Sequence, residues 1–300
     1  MIWQRNYAPS LFLLPILILL QLAYHSTIVS AVHVAAVPPV VGGALISFLV
    51  ATAPATPTFP TFSITPPRAQ SQSQAQSQSQ SQAEAEADAT QVILSNKYNE
   101  YSSTYDQLDG GSSASANAFG VLELRQQASK SVNGDVLEVA IGTGLQSEFY
   151  NAKNIKSFTG IDLSEGMLKA AKQKLSNTLS TVQSRQLEVM DAQELSFKDE
   201  SFDTVIDTFS MCVIPNPDIA IQEMARVVKS GGNVILLENA RSDNTIMGLF
   251  QDIMEPLVTP ISKDCKWNVD VEALANKHGL RLVNSERKSL GTLQLGIYTK

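Results

Sequence analysis

The chain has 300 residues, 22 Lys and Arg against 29 Asp and Glu, and a formal net charge of −7. That length allows one large domain or two small ones, and the acidic balance argues against a sequence-independent grip on nucleic acid. The two cysteines, Cys212 and Cys265, stand far apart in sequence, which is neither a disulfide framework nor a zinc pattern.

Charge is distributed unevenly. Asn6 to Pro67 holds no Asp, Glu, Lys or Arg, and the first acid is Glu84. Arg5, the apolar run Leu11–Leu20 and then Val29-Ser30-Ala31 read as a secretory signal with a candidate cleavage point. A second apolar stretch, Val34–Ala55, is long enough to be a membrane anchor but contains Pro38-Pro39 and Gly42-Gly43. The Pro- and hydroxyl-rich stretch Thr52–Pro67 lacks acids, as organellar transit segments do. A signal followed by a transit-like segment resembles the two-part leaders of complex plastids. A plastid address, a retained membrane anchor with association through the N-terminal region, and simple secretion all stay open. Ala69–Gln82, "AQSQSQAQSQSQSQ", has nothing with which to build a core and reads as a disordered linker. The expected organisation is a leader or anchor over 1–68, a linker over 69–90, and one folded domain over 91–300.

From Asp135 the pattern alternates. Val136–Ala140 is an apolar strand that ends on Gly142-Thr143-Gly144. Ser157–Leu163 is a second strand, with Ser164 placed to cap a helix carrying Met167, Leu168, Ala171 and Leu175 at helical spacing. Val182–Met190 and Phe202–Phe209 are further strands. Ile219, Ile221, Met224, Ala225 and Val228 suggest a helix stopped by Ser230-Gly231-Gly232, and Val234–Leu237 is a fifth strand. Strands alternating with helices give an α/β fold with a mostly parallel sheet covered on both faces. Arg281–Val283 and Leu293–Tyr298 have no room for a helix between them, so they must pair as an antiparallel terminal hairpin.

In such sheets a ligand sits beyond the carboxyl ends of the strands, where strand order reverses. Gly142 and Gly144 fall there and let a ligand approach the backbone. Asp162 ends the second strand and is placed to accept from the hydroxyls of a ribose. Asp191-Ala192 ends the third, where Asp191 offers an acceptor to a purine amine and Leu163 an apolar wall. At this point a nicotinamide dinucleotide and S-adenosyl-L-methionine fit equally. Three features tip the balance: one domain rather than two, Glu138 in a Glu-x-Ala-x-Gly-x-Gly pattern, and "MDAQELSF" after the third strand.

The stretches "VLEVAIGTGLQ", "TGIDLSEGML", "VMDAQELSFKDESFDTVIDTFSMCVIPNP" and "EMARVVKSGGNVILLENARS" together resemble class I S-adenosylmethionine-dependent methyltransferases of the type 11 group, which includes ubiquinone/menaquinone C-methyltransferases and plant plastid relatives. The resemblance covers residues 97–300. It implies a Rossmann-like seven-stranded sheet with a reversed last strand and S-adenosyl-L-methionine as cofactor. It implies that Glu138, Ala140, Gly142 and Gly144 surround the methionine part, that Asp162 holds the ribose, and that Leu163, Met167, Asp191, Ala192 and Thr208 complete the site. "KYNEYSSTYDQL" resembles the family's lid helix, which would bring Tyr98 or Tyr105 to the cofactor's carboxylate. No metal is expected.

Two departures stand out. Ala140 replaces the first glycine of the usual motif, and alanine favours negative φ, so a conventional turn is expected there. Asn239 follows Glu238 where many relatives have histidine, and an amide is no general base. His25 and His33 lie in the leader, and His278 precedes Gly279 at an expected helix end. Glu238, Asp207 or a tyrosine remain as weak acid–base candidates; a thiol or acidic ring carbon as acceptor needs none. The expected partner is a small, lipophilic acceptor such as a quinol or thiol. A catalytically silent cofactor-binding assembly protein is the alternative. Finally, Ile246, Leu249, Phe250, Ile253, Met254 and Leu257 form an apolar stripe at steps of three and four, expected either to pack on the core or to wall an acceptor pocket.

Overall fold

The computed structural model describes residues 89–108, 119–259, 262 and 264–300. The leader and anchor calls over 1–68, and nearly all of the linker call, lie outside the described residues. The first described helix, α1, spans residues 89–101. It is followed by α2 (Tyr105–Leu108) and α3 (Val121–Lys130), then β1 (Gly134–Val139), β2 (Ile155–Asp162), α4 (Glu165–Thr178), β3 (Ser184–Val189) and β4 (Phe202–Thr208). Next come α5 (Pro217–Val227), β5 (Val228–Asn239), α6 (Thr245–Val258), α7 (Val271–Lys277), β6 (Arg281–Lys288) and β7 (Leu293–Thr299).

The seven strands form one sheet in the order β3-β2-β1-β4-β5-β7-β6. The pairs among β1 to β5 are parallel, and β7 runs antiparallel to both β5 and β6. The Rossmann-like architecture with a reversed terminal strand is as the sequence pattern indicates. The helix before β5 ends at Val227, three residues before the Ser230-Gly231-Gly232 stop. That run lies inside a β5 of 12 residues.

Alternation along the strands sorts the core into two layers. Leu137, Val205 and Leu236 point to the face covered by α5 and α7, where Ile221, Met224 and Val271 meet them. Val136, Ile206 and Ile235 point to the other, where Leu124 of α3 and Ala171 and Leu175 of α4 pack. This is the period of two expected of strands buried on both faces. Caps set the helix starts: Ser164 accepts from Met167 N, Asn216 from Ile219 N and Asp270 from Ala273 N.

Helix α6 departs from expectation. Ile246, Leu249, Ile253 and Leu257 are 57–71% exposed, so these four members of the stripe do not pack on the core, while Phe250 and Met254 are half-buried. The inner face is made by Met247, Gly248, Gln251 and Val258. Gln251, fully buried, donates from Nε2 to the carbonyls of Ala240 (3.1 Å) and Trp267 (2.6 Å) and accepts from Ser242 N at 2.7 Å. These bonds seat the helix against the end of β5 and the Trp267 segment. Phe250 adds an edge-to-face contact with Trp267 at 5.9 Å.

Candidate cofactor site

Strand order reverses between β1 and β4, since β2 lies on one side of β1 and β4 on the other. Beyond the carboxyl ends of β1 to β4 lies a cleft with about 780 Å³ of empty space, part of it open to solvent. Ala140 and Gly142 after β1, Asp162 to Ser164 after β2, Met190 to Gln193 after β3 and Thr208 to Ser210 after β4 line it. Gln91, Ser95 and Tyr98 of α1 and Tyr105 of α2 close it from above.

Asp162 organises the centre. Its Oδ2 accepts from Gly142 N at 2.8 Å and its Oδ1 from Ser164 N at 2.9 Å, so one carboxylate bridges the turns after β1 and β2. Burial raises its pKa to about 6, against the lowering effect of those two backbone donors. Lone pairs remain on both oxygens for hydroxyl donors. Asp191 is arranged in the same way at the end of β3, accepting from Gln193 N at 2.8 Å. Gln91 of α1 also donates to Asp191 Oδ2. Helix α1 is fixed further along by Ser95, which donates to Leu163 O, and by Asn99, whose Oδ1 accepts from Ser164 Oγ and from Gly166 N at the start of α4. Helix α2 is tied to the glycine turn through Asp106, which accepts from Thr143 Oγ1 and pairs with Lys174.

The turn after β1 differs from the conventional one expected at Ala140. Ala140 has φ +48°, Gly142 +58° and Gly144 +80°, so three residues in five occupy left-handed conformations. For alanine this costs roughly 1–2 kcal/mol. The chain tolerates it because the turn is held on both sides: Ile141 N donates to Ile161 O and Gly144 N to Ile141 O. Phe209, after β4, is also at positive φ, +63°, and lies under the Arg125 guanidinium at 5.0 Å. Strain of this kind concentrates where a site over-determines the backbone.

Behind the turn lies a buried polar cluster. Glu138 accepts from Tyr150 OH at 2.8 Å, and its other oxygen has no hydrogen-bond partner. Burial raises its pKa to about 8, opposed by the Tyr150 hydrogen bond and the nearby Arg125 charge. Arg125 donates to Gln146 Oε1 at 3.0 Å and reaches Thr208 Oγ1 at 3.4 Å.

Ten of the twelve cofactor candidates line the cleft: Tyr98, Tyr105, Ala140, Gly142, Asp162, Leu163, Met167, Asp191, Ala192 and Thr208. Glu138 lies behind its wall. Gly144 is also outside the lining, packed so closely on α4 that an added Cβ would meet Ala171 Cα at 3.2 Å. Of the acid–base candidates, the carboxylates Asp207 and Glu238 do not line the cleft, whereas Tyr98 and Tyr105 do. Asp207 and Glu238 are fully buried; Glu238 accepts from the amides of Ser210 and Met211, and Asp207 from Ser210 Oγ. Burial raises both pKa values. They hold the turn after β4 rather than face a ligand. Asp203, at the opposite end of β4, accepts from Asp135 N and pairs with Lys229. His278 caps α7 and contacts Asp218 at 2.9 Å. Gln91, Arg125 and Phe209 are the residues sequence reading missed. A polar residue on an N-terminal helix, a cation within an amphipathic pattern and an aromatic ending a strand each look ordinary until the fold brings them together.

Residues 137–236, from β1 to β5, match the family model described as a methyltransferase domain. Over that third of the chain it is similar to class I methyltransferases. The chain is 41% identical over 110 residues to a phosphatidylethanolamine N-methyltransferase of Cereibacter sphaeroides, covering 37% of this chain and 53% of that protein. It is 36% identical over 103 residues to a demethylmenaquinone methyltransferase of Staphylococcus aureus strain JH9, covering 34% of this chain and 41% of that protein. The chain thus spans about half the length of these curated relatives. Among solved structures, the cyclase SpnF aligns with a TM-score of 0.53 at 19% identity, over 66% of this chain and 75% of that one. That likeness concerns the fold alone.

The cofactor of such methyltransferases is S-adenosyl-L-methionine, and the residues of the cleft fit it. Beside the glycine turn the space is open: a Cβ added at Gly142 would meet nothing nearer than the Ala140 carbonyl at 4.0 Å. Asp162 offers carboxylate oxygens at the head of the cleft, acceptors of the kind a ribose diol needs. Asp191 offers one to an exocyclic amine, between the apolar side chains of Leu163, Met190 and Ile214.

Proposed function

We propose that the chain is an S-adenosylmethionine-dependent methyltransferase whose acceptor is a small lipophilic molecule. The observation that carries this reading is Asp162, a buried carboxylate held by two backbone amides at the centre of a cleft with apolar walls. When bound, the cofactor would supply a sulfonium methyl group, to which the acceptor would bond in line as the methyl–sulfur bond breaks and S-adenosylhomocysteine leaves. The protein's own task is alignment and exclusion of water. Asp162 and Asp191 fix the two ends of the adenosine, and α1 and α2 cover the mouth with Tyr98 and Tyr105.

Among the lining residues the only titratable side chains are Asp162, Asp191, Tyr98 and Tyr105. The two acids are assigned to the cofactor, and among the described residues no histidine or lysine lines the cleft. An acceptor that needs no strong base therefore suits it: a neutral amine, a thiol or an acidic ring carbon. The two relatives support a lipophilic acceptor, one being named for phosphatidylethanolamine and the other for demethylmenaquinone.

Calorimetry with S-adenosylhomocysteine and NAD, followed by transfer of labelled methyl to a quinol, an ethanolamine phospholipid and a small thiol, tests the proposal. Binding of S-adenosylhomocysteine but not NAD, with label passing to one acceptor class, is expected. Binding without transfer to any of them would favour the assembly-protein reading.

A further inference from the structure

Helix α6 is built inside out. Its inner face carries Met247, Gly248 and Val258 around the fully buried Gln251, and its outer face carries Ile246, Leu249, Ile253 and Leu257. Steps of three, four and four put these side chains in one narrow row along the helix. The arrangement is fixed and does not reflect a poorly seated helix. Gln251 makes three hydrogen bonds to backbone groups, and a Cβ at Gly248 would come within 2.9 Å of Ser242 O. Rotating the helix to bury the aliphatic row would break all of these.

The helix carries no Lys or Arg. Its two acids are engaged sideways: Asp252 with Arg241 at 2.8 Å and with Asn268, and Glu255 with Thr259 at 2.9 Å. The row therefore offers apolar surface with no charge pattern for a partner to read. Four side chains 57–71% exposed amount to roughly a few hundred Å², short of the ~800 Å² per partner of a stable protein interface. A helix lying on a membrane buries one apolar face about 5–10 Å into the headgroup boundary, with a binding strength that scales with the apolar area buried.

We propose that the outer face of α6 seats the domain on a lipid surface. The contact is apolar and indifferent to headgroup charge. It deepens the lipophilic-acceptor reading and rests on that reading for its purpose. Helix α6 is joined to the cleft wall: Gln251 holds Trp267 O, and the neighbouring Lys266 N donates to Cys212 O at 2.8 Å, directly before the cleft residues Val213 and Ile214. A domain seated through α6 would take its acceptor from the same surface.

The test uses the full chain with a tryptophan reporter, Ile253→Trp, and phosphatidylcholine vesicles whose acyl chains are brominated. Gln173→Trp, on the exposed side of α4, is the control, and the parent chain's emission is subtracted. Quenching at position 253 but not 173, unchanged between low and high salt, is expected. Adding Leu249→Asp to the reporter should raise the vesicle concentration for half-quenching by about tenfold or more. Equal quenching at both positions, or none at 253, overturns the proposal. So does emission at 253 that is already blue-shifted without vesicles. If it then depends on protein concentration, the occupant is a second copy; if not, it is another segment of this chain. S-adenosylhomocysteine affinity, measured on every variant, reports folding. Because no acceptor is present, a failure of methyl transfer and a failure of vesicle docking remain separate results.

Discussion

Helices α5 and α6 precede and follow the same strand, β5, and use opposite rules. Helix α5 buries Ala220, Ile221, Met224 and Ala225 against the sheet. Helix α6 buries Met247, Gly248 and Val258 around a glutamine and exposes four large aliphatic residues. In sequence the two stripes look alike. Apolar periodicity shows that one face of a helix seeks apolar surroundings; it does not show that the protein's own core supplies them.

The largest effect expected from this contrast is in stability. Met224→Ala should cost about 2–5 kcal/mol, as core truncations do. Ile253→Ala should stay within about 0.5 kcal/mol in vesicle-free buffer. Urea denaturation of both variants measures the difference. Equal losses would mean that the outer face of α6 is part of a core after all. Gln251→Leu sharpens the point from the inside. In an ordinary core helix, leucine in place of glutamine would be harmless. Here it strips partners from Ser242 N, Ala240 O and Trp267 O. The loss should be at least one desolvation penalty, about 1–3 kcal/mol, and a variant as stable as the parent would break the inside-out description.

The cofactor half answers to a different test, because its key acid titrates. Asp162 in the ligand-free fold has a pKa of about 6. Ribose hydroxyls donate to the ionised form, so a proton competes with the cofactor. Affinity for S-adenosylhomocysteine should be flat above pH 7 and fall by about tenfold per pH unit well below 6. Asp162→Asn should bind more weakly at pH 7.5 and lose most of that slope. Calorimetry at pH 5 and 7.5 checks both statements; a parent chain with no slope would remove Asp162 from the ribose.

These two regions also mark how far the sequence could be read. The strands, their parallel order and the reversed terminal pair follow from runs of apolar residues and from the absence of room for a helix between β6 and β7. The strand-end residues Gly142, Asp162 and Asp191 were legible because a doubly wound sheet puts its ligand where those strands stop. Glu138 is not among the residues lining the cleft: sequence position shows that it lies on β1, while its partner Tyr150 comes from a turn eleven residues after β1 ends. Glu238 and Asp207 were read as acid–base candidates because strand ends often carry them. Their bonds to Ser210 and Met211 show side chains that shape the turn instead. The orientation of α6 was illegible, because it depends on Gln251 finding three backbone partners from distant parts of the chain.

Ala140 is the exception within the legible half, and it carries the smallest predicted effect. The sequence argues for negative φ at alanine, and the fold imposes +48°. The neighbours decide the matter. Ile141 N is committed to Ile161 O across the β1–β2 gap, and Gly142 N to Asp162. Relaxing Ala140 to negative φ would swing both amides away from their acceptors, at about 0.5–1.5 kcal/mol for each neutral bond and more for the one to a carboxylate. That exceeds or matches the roughly 1–2 kcal/mol of left-handed strain, so the strained turn wins. Ala140→Gly removes the strain but gives the unfolded chain more freedom, which returns part of the gain. The net expectation is a stabilisation of about 0.5–1 kcal/mol, visible as a rise of a few degrees in Tm. Because Ala140 also lines the cleft, loss of its methyl should leave cofactor affinity unchanged or tighter. A fall in Tm would mean that the alanine is relaxed in solution and that the turn after β1 differs from the one described.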